Sequence, residues 1–150
     1  MMHEDFMREA IIEAKKAEEI GEVPIGAVVV QGGQIIARGH NQRELKNQAI
    51  SHAEIEAITS ACEKLGTWRL SDCDLYVTLE PCPMCAGAII NARINTVYFG
   101  AYDQKAGCAG SHINLFDCGF NHRPNLKSRI LEQECVEILQ KFFEKLRNKI

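Results

Sequence analysis

The chain has 150 residues, 46% of them hydrophobic and 25% charged, with a formal net charge of −3 at pH 7. That length and balance describe about one ordinary globular domain, here residues 1–150, and exclude a disordered, collagen-like or coiled-coil chain. No apolar run reaches the roughly 18–20 residues that cross a bilayer, and the start Met1-Met2-His3-Glu4-Asp5 lacks the pattern of a secretion signal, so a cytoplasmic protein without a membrane partner is expected.

Phe6, Met7, Ala10, Ile11, Ala14, Ala17 and Ile20 recur at steps of three and four between charged residues, which predicts an amphipathic helix over 4–20 that stops at Gly21. Residues 26–31 are apolar and β-branched, Gly32-Gly33 suits a two-residue turn at positive φ, and 34–40 alternates weakly, so a β-hairpin is expected there. Ser51 then precedes a helical pattern (Ile55, Ile58, Ala61, Cys62, Leu65) that ends at Gly66. Strands are predicted over 74–79 and 96–100 with a short helix over about 83–91 between them, followed by a short strand near 126–130. A final helix is marked by Cys135, Ile138, Leu139, Phe142, Phe143 and Leu146. Strand and helix alternate after residue 51, which implies an α/β layered domain. Residues 101–125 form the longest irregular stretch, and a loop of that length is more often functional than idle.

Residues 1–24 hold seven acidic and three basic side chains, whereas residues 123–150 hold seven basic and four acidic ones. A basic C-terminal stretch permits an anionic partner without demanding one. Seven scattered cysteines, an odd number, do not make a disulfide framework and fit a reducing compartment. Cys62, Cys73, Cys108, Cys118 and Cys135 are expected as buried small apolar residues. Cys82 and Cys85 differ, because their spacing at the start of a predicted helix lets two sulfurs converge where the helix dipole favours thiolates.

His52-Ala53-Glu54 opens the helix before them. Two thiolates and one imidazole suit Zn²⁺, and His52, Cys82 and Cys85 would leave a tetrahedral ion one ligand short. No second Cys-x-x-Cys or His-x₃-His occurs to close the site, so an open, catalytic position is the better reading. Glu54 is placed to move protons, which is machinery for hydrolysis or deamination. The same residues admit plainer roles: Ser51-x-x-Glu54 matches a capping box, and Cys-Pro-Met-Cys matches a redox pair or a non-enzymatic zinc module.

The His52-Ala53-Glu54 motif, the run LYVTLEPCPMCAGA over residues 75–88, Trp68-Arg69-Leu70, the 21–27 segment GEVPIGA and Asn121-His122-Arg123 together resemble the cytidine-deaminase-like zinc deaminases. Within that superfamily the chain is most similar to the tRNA-specific adenosine deaminases. The resemblance implies a three-layer domain whose central mixed five-stranded sheet is flanked by helices. It implies one Zn²⁺ per chain on His52, Cys82 and Cys85, with Glu54 as the catalytic proton shuttle. It also implies a homodimer that converts adenosine to inosine at the wobble position of a tRNA anticodon stem-loop. Asn41, the backbone of Ala53, Asp103, Lys105, Asn121, His122 and Arg123 correspond to substrate-binding positions of that family, and residues 142–147 to the substrate end of the last helix. Phe142 and Phe143 are equally expected as core. The Cys-Pro-Met-Cys spelling is also similar to guanine deaminases, which keeps a free guanine or cytosine-type substrate open.

Overall fold

The structure is a computed structural model and describes residues 2–149. Helix α1 (His3–Glu19) turns Phe6, Met7, Ala10, Ile11, Ala14 and Ala17 inward, as its period requires. Strands β1 (Gly26–Gln31) and β2 (Gln34–His40) have the expected bounds. Gly32 and Gly33, at φ of 56° and 75°, provide the two left-handed residues that match a tight turn to the twist of the hairpin.

The remaining elements are α2 (Arg43–Lys46), α3 (Ala53–Leu65), β3 (Cys73–Leu79), α4 (Pro83–Ala92), β4 (Thr96–Ala101), a 3₁₀ turn (Leu115–Asp117), β5 (Asn125–Lys127) and α5 (Glu132–Asn148). The strands form one sheet in the order β2-β1-β3-β4-β5. β1 is antiparallel to β2 and β3, while β3, β4 and β5 run parallel. The mixed five-stranded sheet implied by the resemblance is therefore present.

Alternation along the strands sorts the core onto two faces. Ala27, Val29, Leu75, Val77, Val97 and Phe99 pack with buried residues of α3 and α4. Val28, Val30, Tyr76 and Tyr98 pack with Phe6, Met7, Ala10 and Ile11 of α1 and with Cys135 of α5. Helices thus cover both faces, giving three layers.

Two glycines set how closely helices approach. A Cβ on Gly26 would overlap the backbone of α1 at Ala10 and Ala14, and one on Gly39 would overlap Ala53 and stand 2.6 Å from the Ala57 nitrogen in α3. Gly39 thereby seats the first turn of α3 on the sheet.

Several expectations are corrected. α2 has no hydrophobic pattern and was not anticipated; it forms because the buried Glu22 carboxylate accepts the Glu44 and Leu45 amides at 3.1 and 2.6 Å. β5 is only three residues long and starts at Asn125. α5 begins at Glu132 and fully buries only Cys135. Phe143 and Leu146 are 41% and 51% exposed, so the second half of α5 is not core. Of the five cysteines expected inside, Cys73, Cys108 and Cys135 are buried, but Cys62 is half-buried and Cys118 is exposed on the irregular loop. Among the described residues no helix is long and apolar enough to cross a membrane.

Candidate active site

His52 is the N-cap of α3, and Cys82 is the N-cap of α4, whose first residue is Pro83. Proline suits that first position because its missing N–H would have no helical partner there. The positive ends of two helices therefore meet at one point, where negative charge is favoured. Cys85, one turn into α4, is fully buried beneath it.

His52 Nδ1 lies 3.5 Å from Cys82 Sγ and 3.6 Å from Cys85 Sγ. Zn–S and Zn–N bonds of about 2.3 and 2.05 Å in a tetrahedron place N and S about 3.5 Å apart. The donor set thus fits zinc in both chemistry and spacing. Among the described residues, His52, Cys82 and Cys85 are the only group of three that could hold a metal ion, with their candidate ligand atoms all within 4.8 Å of one another. Among the described residues no fourth His, Cys, Asp or Glu joins the group.

Of the three candidate ligands only Cys82 is shifted toward its anion. The hydrogen bond from Cys85, helped by His52, holds the Cys82 thiol down at about 4 against the opposing effect of burial. Cys85 is pushed up, first by that shared proton and then by burial. The hydrogen bond with Cys82 raises His52. Glu54 is 4% exposed, and burial pushes its carboxyl up to about 7. The capping-box alternative for Glu54 fails here, since α3 has no side-chain cap and the Ser51 hydroxyl donates to Gln48 Oε1 at 3.1 Å.

The MafB19-like deaminase family model matches residues 1–147. A tRNA-specific adenosine deaminase from Bacillus subtilis (strain 168) is 57% identical over 145 residues, which span 96% of this chain and 90% of that protein. The chain belongs to the tRNA-specific adenosine deaminase family. A solved tRNA:A34 deaminase is 48% identical with a TM-score of 0.87, covering 90% of this chain and 99% of its own. The guanine deaminase of Bacillus subtilis is 42% identical with a TM-score of 0.67, over 77% of this chain and 74% of its own.

In this deaminase Asn41 stands just after β2, where the Gln42 amide donates to the Ser51 carbonyl at 3.0 Å and so ties it to the segment carrying His52. Its Oδ1 accepts the Arg43 amide at 3.2 Å, and its Nδ2 donates to the Val23 carbonyl at 3.3 Å. One lone pair and one N–H of the amide are left over. Ala53 is the first residue of α3, where a backbone N–H has no intrahelical acceptor.

Asp103 is engaged in its own loop: its Oδ1 accepts the Lys105 and Ala106 amides at 3.1 and 3.3 Å. Lys105 is exposed and lines a cavity of about 720 Å³ with Tyr102, Leu139, Phe143 and Arg147. His52, Cys82 and Cys85 lie outside that cavity, beyond the C-terminal end of β3.

Asn121, His122 and Arg123 are not brought to the cluster. His122 Nε2 lies 2.6 Å from the Ile94 carbonyl oxygen, and the Asn125 amide donates to the Asn95 carbonyl, so the segment borders the N-terminal end of β4. Arg123 pairs with Asp117 at 2.7 Å. A strand of β3's seven residues is about 20 Å long, which separates these groups from the site within the chain.

Reasoning from sequence missed Glu80 and Glu22, two buried carboxylates that hold loops beside the site. The available signal was an acidic residue at the end of an apolar run, directly before Pro81-Cys82.

Proposed function

We propose that this chain catalyses the hydrolytic deamination of adenosine to inosine at the wobble position of a tRNA anticodon. The supporting observation is the open trio of His52 Nδ1, Cys82 and Cys85 with buried Glu54 two residues from His52. Zinc held by that trio would supply Lewis acidity, which brings the pKa of water toward about 7.

Glu54 does the proton work. With its carboxyl near 7 it both accepts and returns a proton at neutral pH. It takes a proton from the attacking water as the oxygen bonds to C6 of adenine and passes it to N1, then takes the proton of the new C6 hydroxyl and delivers it to the departing 6-amino group. The C6–N bond breaks, ammonia leaves, and adenosine plus water has become inosine plus ammonia.

The base has to be splayed from the anticodon loop to reach the site. The Ala53 N–H is assigned to the purine edge and the free amide valences of Asn41 to the base or ribose. Lys105, on the rim of the groove along α5, is assigned to the phosphate backbone. Asp103 acts by shaping the turn that carries Lys105. Asn121, His122 and Arg123 contact RNA only outside this pocket, as when they belong to a second subunit. Exposed Trp68, Ile113 and Phe120 support such pairing in a homodimer. The setting is the cytoplasm, and residues 1–150 act as one deaminase unit.

A second reading, deamination of free guanine, is favoured by the Cys82-Pro83-Met84-Cys85 spelling and by the likeness to a guanine deaminase. The two are separated by incubating the protein with an anticodon stem-loop bearing a wobble adenosine, with guanine and with cytidine. Inosine from the stem-loop alone is expected. Xanthine from guanine without inosine overturns the first reading, and uridine alone overturns both.

A further inference from the structure

Glu80 is 2% exposed, yet it is neither a metal ligand nor a proton shuttle in the chemistry above. Its carboxylate is saturated by one loop. Oε1 accepts the Asp103 amide at 2.9 Å and the Ser111 hydroxyl, while Oε2 accepts the Ala109 amide at 2.8 Å and the Ser111 amide at 3.0 Å. All four bonds are charge-assisted, the stronger kind.

The loop is built around that group. A Cβ on Gly107 would overlap the Glu80 carboxyl and lie 2.5 Å from the Asp103 carbonyl, so the chain closes there with no room for a side chain. The Cys108 amide donates to the Pro81 carbonyl at 2.8 Å, and the Gly107 amide to the Asp103 carbonyl at 2.8 Å. Glu80 and Pro81 are consecutive and immediately precede Cys82. The segment that delivers a metal ligand therefore also grips both ends of residues 103–111, and between those ends stands Lys105 on the rim of the α5 groove.

We infer that Glu80 is a positioning residue for RNA: its carboxylate fixes the 103–111 loop, and with it Lys105 and Tyr102, at a set distance from the metal-bearing turn. Held in this way, the rim engages the phosphate backbone at the distance that lets the splayed base reach the pocket. This inference rests on the deaminase reading above.

The test uses full-length, metal-loaded protein and two variants, Glu80→Gln and Ser111→Ala. An amide at position 80 turns two N–H bonds toward donors and breaks half of the clamp. Ser111→Ala removes one hydroxyl bond from a half-buried surface position and keeps the fold even if Glu80→Gln does not.

In Glu80→Gln, KM for an anticodon stem-loop rises about ten- to a hundredfold, the equivalent of one or two lost bonds to a charged group, while kcat and metal content stay near the parent's. Ser111→Ala moves KM the same way by a smaller factor. Site-resolved hydrogen exchange of the Asp103, Ala109 and Ser111 amides accelerates in both variants while β3 amides do not change. Unchanged exchange and KM in both variants overturn the inference, and so does a fall in kcat together with loss of metal at constant KM. A parent protein that yields no inosine refutes the deaminase reading instead, and the exchange arm still reads the clamp.

Discussion

His52 and Cys82 occupy equivalent positions, each the extended N-cap of a helix (φ −77° and −78°), with Nδ1 and Sγ 3.5 Å apart across thirty residues of sequence. Pairing the starts of α3 and α4 directs two helix dipoles at one point, which favours the Cys82 thiolate.

Metal binding follows from that pairing. His52→Ala is expected to lose the ion and all turnover, and elemental analysis should give about one zinc per parent chain and far less in the variant. Chelation of the parent should lower its melting temperature, because a ligand that binds only the folded state stabilises it. An unchanged melting curve would count against a resident metal.

Glu54→Gln separates proton transfer from metal binding. Zinc content should hold, and single-turnover deamination should fall by about 10²–10⁴, the usual loss for a missing general acid or base. Folding stability should not drop, since the substitution removes a carboxyl whose ionisation burial already opposes.

Gly39→Ala tests the seat of α3. The added methyl meets the Ala53 and Ala57 backbone, which has no rotamer with which to yield. Denaturant unfolding should show a loss of about 1–3 kcal/mol, the range for overpacking a tight contact. Turnover should fall as well, because the displaced helix carries His52 and Glu54.

Glu13 gives a pH-dependent contribution to stability. Burial alone would raise its carboxyl, but Lys16 at 2.8 Å and His40 at 3.4 Å outweigh burial and hold it below its ordinary value. A depressed folded pKa contributes stability above the unfolded value, and that contribution is lost as pH falls through the folded value. Glu13→Gln should therefore be less stable than the parent near neutral pH, with the gap in denaturant midpoint closing as pH falls from about 5 through the depressed folded value. A constant gap across that window would refute the ion-pair account.

Much of this was legible in the sequence because it is local. The period of Phe6 to Ala17, the Gly32-Gly33 turn and the Gly66 stop each depend on neighbours within a few residues, and those elements stand within a residue or two of where they were expected. That His52, Cys82 and Cys85 come together was legible for a different reason: histidine and paired cysteines at helix starts have few alternative uses. α5 misled, since its apolar period states that one face avoids water but not whether the sheet extends far enough to cover it.

Only the tertiary structure could decide what depends on distant partners. Ser51 and Glu54 have capping-box spacing, yet the turn before α3 gives the hydroxyl to Gln48 and buries the carboxyl beside the sulfurs. Asn121, His122 and Arg123 share the 101–125 stretch with Asp103 and Lys105 but lie at the other end of β4, because parallel pairing of β4 with β5 carries the chain back along the sheet. Glu22, Glu80, Gly26, Gly39 and Gly107 are likewise fixed by atoms many residues away. Short-range periodicity and turn chemistry wrote the elements and the His52, Cys82 and Cys85 motifs into the chain; close packing and the need to pair every buried polar group selected their arrangement.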